Sequence, residues 1–175
     1  PAFPFGFGLS YTDFNISEYR VAVDNGEIIV EAKITNTGDK FNGREVAQVY
    51  MACPQTGIKK EFKRLVGFKK TKLLKPNESE VVKIAISSKS LASYNEEESA
   101  WIVEKGEYGI FIGNSSVNNV LAGVIAAGED YVIEKTGHIH PLQENLEEIV
   151  RPDEVIEKLT TKWKEEARAK GIKVL

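Results

Sequence analysis

Residues 21–36 read VAVDNGEIIVEAKITN, and this stretch decides the fold. Asp24-Asn25-Gly26-Glu27 carries the Asn-Gly pair that tolerates the positive φ angles of a two-residue hairpin turn. Val21 and Val23 alternate before it. Ile28, Val30, Ala32 and Ile34 alternate after it with Glu31 and Lys33 between, so one face of a strand is apolar and the other is mostly polar.

The same grammar repeats on both sides. Asn36-Thr37-Gly38 and Asn42-Gly43 are turn signals, and Val46, Val49 and Tyr50 lie in the next strand. Phe62, Leu65, Val66 and Phe68 make another, and Pro76-Asn77 turns the chain into Val81, Val82, Ile84 and Ile86. A helical turn is expected over Ser87 to Tyr94, because alternation stops and Leu91 and Tyr94 stand three apart. Trp101, Ile102 and Val103 open the last sheet segment, and Lys105-Gly106-Glu107 is expected to fold it back onto Tyr108, Ile110 and Ile112. Asn114 to Asn119 turns once more into Val120, Leu121, Val124 and Ile125. About seven short strands with no helix-length crossover specify an all-β, immunoglobulin-like sandwich.

Charge and hydropathy change beyond Gly137. Val155, Ile156, Leu159, Trp163 and Ala167 fall on one helical stripe, with Pro152 at its start and Gly171 at its stop. A shorter helical piece carrying Leu142, Leu146, Ile149 and Val150 precedes it. A stripe of such large side chains needs a surface: the sandwich, a neighbouring domain or another chain. The organisation expected is an extended arm over 1–15, a sandwich over 16–135 and a helical tail or linker over 136–175.

Composition excludes several function classes. The 175 residues have a formal net charge of −3, which does not suit a nucleic-acid partner. No apolar run approaches the roughly 20 residues that span a bilayer. Cys53, the one cysteine, cannot form an intrachain disulfide and reads as a small apolar residue. The lack of disulfides fits a reducing compartment, and the cytoplasm is favoured on that ground and on the lack of a signal peptide. Pro1, set in an aromatic-glycine stretch, reads as a point inside a longer chain.

That stretch, PAFPFGFGLSYTDF, interleaves Phe3, Phe5, Phe7, Tyr11 and Phe14 with Pro4, Gly6 and Gly8. Proline fixes φ and glycine permits close backbone approach, so it reads as an extended arm.

Four stretches together resemble the fibronectin type III-like domain of glycoside hydrolase family 3, which includes the β-glucosidases. They are Phe3 to Phe14; Ile34 to Gly38 with Gly43 to Tyr50; Leu65 to Lys70 with Leu74 to Ser79; and Leu91, Tyr94 and Trp101 with Gly106 to Tyr108 and Gly113 to Ser116. Asn77 stands where the family usually has glycine, and asparagine tolerates the same left-handed geometry. The resemblance implies a non-catalytic module bracing the catalytic barrel and α/β-sandwich domains of one parent chain, with Phe3, Phe5, Phe7 and Tyr11 packed at the domain junction. It implies the tail to be a connector toward a barrel, or else a C-terminal helix.

Hydrolysis with retention needs two carboxyl groups about 5 Å apart. In the family these come from the barrel and α/β domains, and none of the 26 acidic residues here matches either motif, so the catalytic set is empty. No cofactor or metal is expected: His138-Ile139-His140 is half a ligand set at most and reads as two solvated histidines. Asn15-Ile16-Ser17, Asn77-Glu78-Ser79 and Asn114-Ser115-Ser116 have glycan-acceptor spacing, and the last reads most simply as a turn. Lys59, Lys60, Lys63, Arg64, Lys69, Lys70 and Lys72 read as a solvated strand face. The alternative is an autonomous carbohydrate-binding or adhesive module, which needs exposed rings. Against it, Tyr108, Phe111 and Trp101 are expected in the core.

Overall fold

The computed structural model describes residues 3–137 and 152–175. Seven strands build two facing antiparallel sheets. β1 (Phe14–Asp24), β2 (Glu27–Asn36) and β5 (Ser79–Ser87) form the first in the order β1-β2-β5. β3 (Val46–Ala52), β4 (Lys63–Lys70), β8 (Gly106–Gly113) and β9 (Asn119–Ala127) form the second in the order β4-β3-β8-β9. Three strands facing four is the expected sandwich.

The hairpin forms where the sequence places it. Asp24 pairs with Glu27, and Asn25 and Gly26 take φ of 47° and 78°, the two positive angles of a type I′ turn. Alternation then sends Ile28, Val30, Ala32 and Ile34 into the core, where they meet Val82, Ile84 and Ile86 of β5 and Val49, Met51, Ile110 and Ile112 of the facing sheet. Tyr108 lies in the same core with its hydroxyl donating to the Glu104 carbonyl at 2.8 Å. That is the corner bond by which a buried tyrosine early in a strand ties back the preceding loop. Asn77 adopts φ of 63° in the turn before β5.

Two elements differ from expectation. The helical turn is a 3₁₀ segment, Ser88–Leu91, and Tyr94 lies beyond it in β6 (Ser93–Asn95). β7 (Ala100–Val103) does not fold back onto β8. It pairs with β6 and with β10 (Tyr131–Lys135) in a separate side sheet, ordered β10-β7-β6. Hydrogen bonding to β10 takes precedence over the local turn signal at Lys105-Gly106-Glu107, because β8 is already paired on both edges by β3 and β9. In consequence Trp101 is not a core residue; it is 40% exposed. The strongly buried positions are Tyr108 and Phe111.

The helical stripe finds its surface on the sandwich itself. α1 (Asp153–Ala169) lays Trp163 and Ala167 against Tyr50, Ala52, Phe111, Leu121 and Val124, on the outer face of the four-stranded sheet. Gly109 makes room: a Cβ there would lie 3.1 Å from the Trp163 ring. This third layer explains why six of the seven residues of β3 are buried, a pattern that a strand covered on both faces must show. α1 stops as Gly171 turns to φ of 62°, with Ile172 N–H donating to Ala167 O and Gly171 N–H to Arg168 O, the paired bonds of a Schellman cap. Val174 then bridges to Val124 in parallel, and Leu175 exchanges backbone bonds with Val124 and Ala126 along β9. The expected segment Leu142 to Val150 lies outside the described residues.

Candidate interaction surface

The sandwich end at which β2 finishes and β3 begins carries a polar framework, and the arm is fastened to it. Asn36 is fully buried at the last position of β2. Its Oδ1 accepts from Thr12 Oγ1 at 2.5 Å and from Gly38 N–H at 3.1 Å. Its Nδ2 donates to the carbonyls of Phe41 at 2.9 Å and Leu74 at 3.0 Å. Both donors and the acceptor are used, as burial of an amide requires. The arm, the turn after β2 and the loop before β5 therefore meet on one side chain.

The glycines there leave no room for a side chain. A Cβ on Gly38 would lie 2.0 Å from Thr12 Oγ1, and one on Gly43 would lie 2.6 Å from Thr12 Cγ2 and 2.8 Å from Phe14 Cζ.

A second fastening lies nearer the start of the arm. Phe7 N–H donates to Pro4 O at 3.0 Å around Gly6, whose φ is 86°, so Pro4 to Phe7 forms a type II turn. The Phe5 carbonyl accepts from Ser116 N–H at 2.9 Å. A Cβ on Gly6 would come within 2.8 Å of Asn114 O, Gln48 Nε2 and Ser115 Cα. The receiving turn is itself braced: Gln48 Nε2 donates to Asn114 O, Asn114 Nδ2 to Glu45 Oε2, and Asn118 N–H to Ser115 Oγ.

While the arm is held at Thr12 and Phe5, its large apolar side chains face outward. Leu9 and Tyr11 are 95% and 91% exposed, and Phe3, Phe5 and Phe7 are each more than half exposed. Phe3 stacks near Phe7 at 4.7 Å and Tyr11 near Phe41 at 5.9 Å between ring centroids. Phe68, which pairs with Gln48, is a further exposed ring beside this region. Monomeric surfaces seldom expose so many large apolar groups together, and such patches mark interaction sites. The structure thus places the four residues singled out in the sequence, Phe3, Phe5, Phe7 and Tyr11, along one tethered segment. Sequence reasoning did not single out Leu9, Phe41 and Phe68 as exposed neighbours; of these only Phe68 stood in an expected strand, where alternation favours burial.

The opposite end of the sandwich holds the most buried charges. Glu104 Oε1 accepts from Thr56 Oγ1, Gly57 N–H and Ile58 N–H at 3.1, 2.7 and 3.0 Å. Its Oε2 meets the Lys60 ammonium, and both side chains are more than nine-tenths buried. Burial pushes Lys60 down to about 8, so it remains charged at neutral pH and opposes the carboxylate. Lys60 is therefore not part of a solvated face, contrary to the sequence reading. Arg64 is also engaged, donating to Ala92 O and Ser93 Oγ. Cys53 is buried nearby, and burial pushes its thiol up.

Glu104 is consumed by its four partners. The open concavity along α1, of about 430 Å³, is lined by Glu154, Glu157, Lys158, Thr161, Lys162 and Glu165, all from one helix. Among the described residues no group of three or more His, Cys, Asp or Glu side chains could hold a metal ion, and no helix is long and apolar enough to cross a membrane. His138 and His140 lie outside the described residues.

Comparison with known proteins decides the family. Residues 45–116 match the model of the fibronectin type III-like domain. The chain carries a fibronectin type III-like domain. It is similar to segments of β-glucosidases, a glycoside hydrolase family 3 enzyme among them. A β-glucosidase of Kluyveromyces marxianus is 47% identical over 118 residues, which are 66% of this chain and 14% of that protein. Thermostable β-glucosidase B of Acetivibrio thermocellus is 35% identical over 150 residues, 83% of this chain and 20% of that protein. Among solved structures, β-glucosidase 3B from Thermotoga neapolitana in complex with glucose superposes with a TM-score of 0.70 at 44% identity, covering 75% of this chain and 18% of that one. The chain thus spans a fifth or less of these relatives.

Proposed function

We propose that this fibronectin type III-like domain is a non-catalytic accessory module of a β-glucosidase-like glycoside hydrolase, and that its arm packs against the catalytic barrel and α/β-sandwich domains of the same parent chain. One observation carries this reading: the arm is bonded to the sandwich through the Thr12 hydroxyl and the Phe5 carbonyl while Phe3, Phe5, Phe7, Leu9 and Tyr11 remain turned to solvent. A segment that merely covered its own core would bury those rings. Fully covering one aromatic ring removes on the order of 150–250 Å² from water, so this arm supplies an interface of substantial apolar area.

The division expected is 1–15 as the docking arm, 16–135 as the sandwich and 136–175 as the tail. The catalytic carboxylates come from the parent's other domains in this reading.

Two measurements test it. The purified 175-residue chain is incubated with an aryl β-glucoside, and no turnover above a heat-treated control is expected. Phe5→Ser and Phe7→Ser are then made in this chain and in the full-length parent. The melting temperature should fall by several degrees in the parent and by about a degree or less here. Turnover by the short chain, or equal shifts in both, removes the proposal.

A further inference from the structure

We infer that the Tyr94–Trp101 face of the side sheet is a binding site for a neutral saccharide. It lies in a different sheet from the strands joined by the Asn114–Asn118 turn that receives the arm.

Trp101 is 40% exposed, and its indole is propped edge-on by Tyr94, with ring centroids 5.5 Å apart at 60°. The prop is fixed in turn. Tyr94 Oη shares a hydrogen bond with Thr136 Oγ1 at 3.1 Å, and Thr136 donates both its N–H and its hydroxyl to Ser99 O, at 2.7 and 2.9 Å. Ser99 holds a left-handed φ of 49° at the entry to β7, a conformation a non-glycine residue keeps only when its surroundings enforce it. The platform is therefore preorganised.

Its surroundings choose the occupant. The register sets Tyr94 on one side of Trp101 and Glu134 on the other, and the β6–β7 turn beside it carries Glu97 and Glu98. Charged groups are depleted at the centre of protein–protein interfaces, which argues against a protein partner on this ring. A sugar ring presents an apolar C–H face to an indole and hydroxyl donors at its rim. Carboxylates have only acceptors to offer, and Glu134 is the cross-strand neighbour of Trp101. A neutral saccharide satisfies both chemistries without a buried cation.

The test is a titration of the 175-residue chain and its variants with cellotetraose, read by the heat of binding and, in the unsubstituted chain, also by tryptophan fluorescence. The chain has two tryptophans, and Trp163 is buried between α1 and the sheet, so a sugar at this site perturbs the emission of Trp101. A saturable response at millimolar sugar is expected. Trp101→Ala should abolish it, Trp101→Phe should weaken it while retaining saturation, and Glu134→Gln should weaken it several-fold with unchanged folding by circular dichroism. No saturable response in the unsubstituted 175-residue chain, or a response that survives Trp101→Ala undiminished, overturns the site. A response unaffected by both Trp101→Phe and Glu134→Gln does the same, even if Trp101→Ala fails to fold.

Discussion

Thr12 Oγ1 donates to Asn36 Oδ1 at 2.5 Å, joining the end of the arm to the last residue of β2. Around that bond the Asn36 amide also holds Gly38, Phe41 and Leu74.

Replacing Asn36 by alanine should cost about 3 kcal/mol, because it strips the buried Thr12 hydroxyl, the Gly38 N–H and the Phe41 carbonyl of their partner at once. Urea denaturation followed by circular dichroism should show a lower midpoint at an unchanged slope. A loss below about 1 kcal/mol would mean that water replaces the amide.

Gly38→Ala should destabilise by roughly 1–3 kcal/mol through overpacking against Thr12. With Thr12→Ala as background, the penalty should shrink, because the hydroxyl 2.0 Å from the new methyl is gone. A double-mutant cycle measures the coupling, and strict additivity would contradict the clash.

Glu104→Gln leaves the Lys60 ammonium buried against a neutral amide, at an expected cost of about 3–5 kcal/mol. Lys60→Met combined with Glu104→Gln should cost less than the sum of the single changes, since neither charge is then stranded. Limited proteolysis should find the 53–62 loop opened in the Glu104 single variant and largely protected in the double.

Cys53 should be silent toward a thiol reagent in the folded chain, since its thiol is buried and pushed toward the protonated form. Labelling in a urea series should rise with the same midpoint as the loss of circular dichroism. Rapid stoichiometric labelling in buffer would contradict the burial.

Trp163→Ala should cost about 3–5 kcal/mol and release α1 from the sheet, seen as faster amide exchange across the helix. Trp163→Phe should cost much less, because the indole N–H has no hydrogen-bond partner to lose.

Local pattern made the sandwich readable. The Asn25-Gly26 turn and the alternation from Ile28 to Ile34 depend on neighbours within a few residues, and they appear as written. Long-range competition hid the rest. The turn signal at Lys105-Gly106-Glu107 is real, yet β7 takes its partner from Tyr131–Lys135. Lys60 carries no local mark of burial, because its counter-charge sits across a different loop. In β3, Tyr50 and Ala52 broke the polar half of the alternation, which was the signal that a further layer lay outside the sheet. Of the candidate surface, the aromatic content was legible, but not the arm's attachment: Gly6, Gly38 and Gly43 reveal their roles only when Asn114, Thr12 and Phe14 stand against them.

The turn at Gly6 also bears on kinetics. A free tail of phenylalanines would have to abandon many backbone conformations each time it met a surface, and that entropy loss weakens association. With Phe5 locked to Ser116, the loss falls at the moment the chain folds, and the rings arrive at any surface in a single backbone geometry.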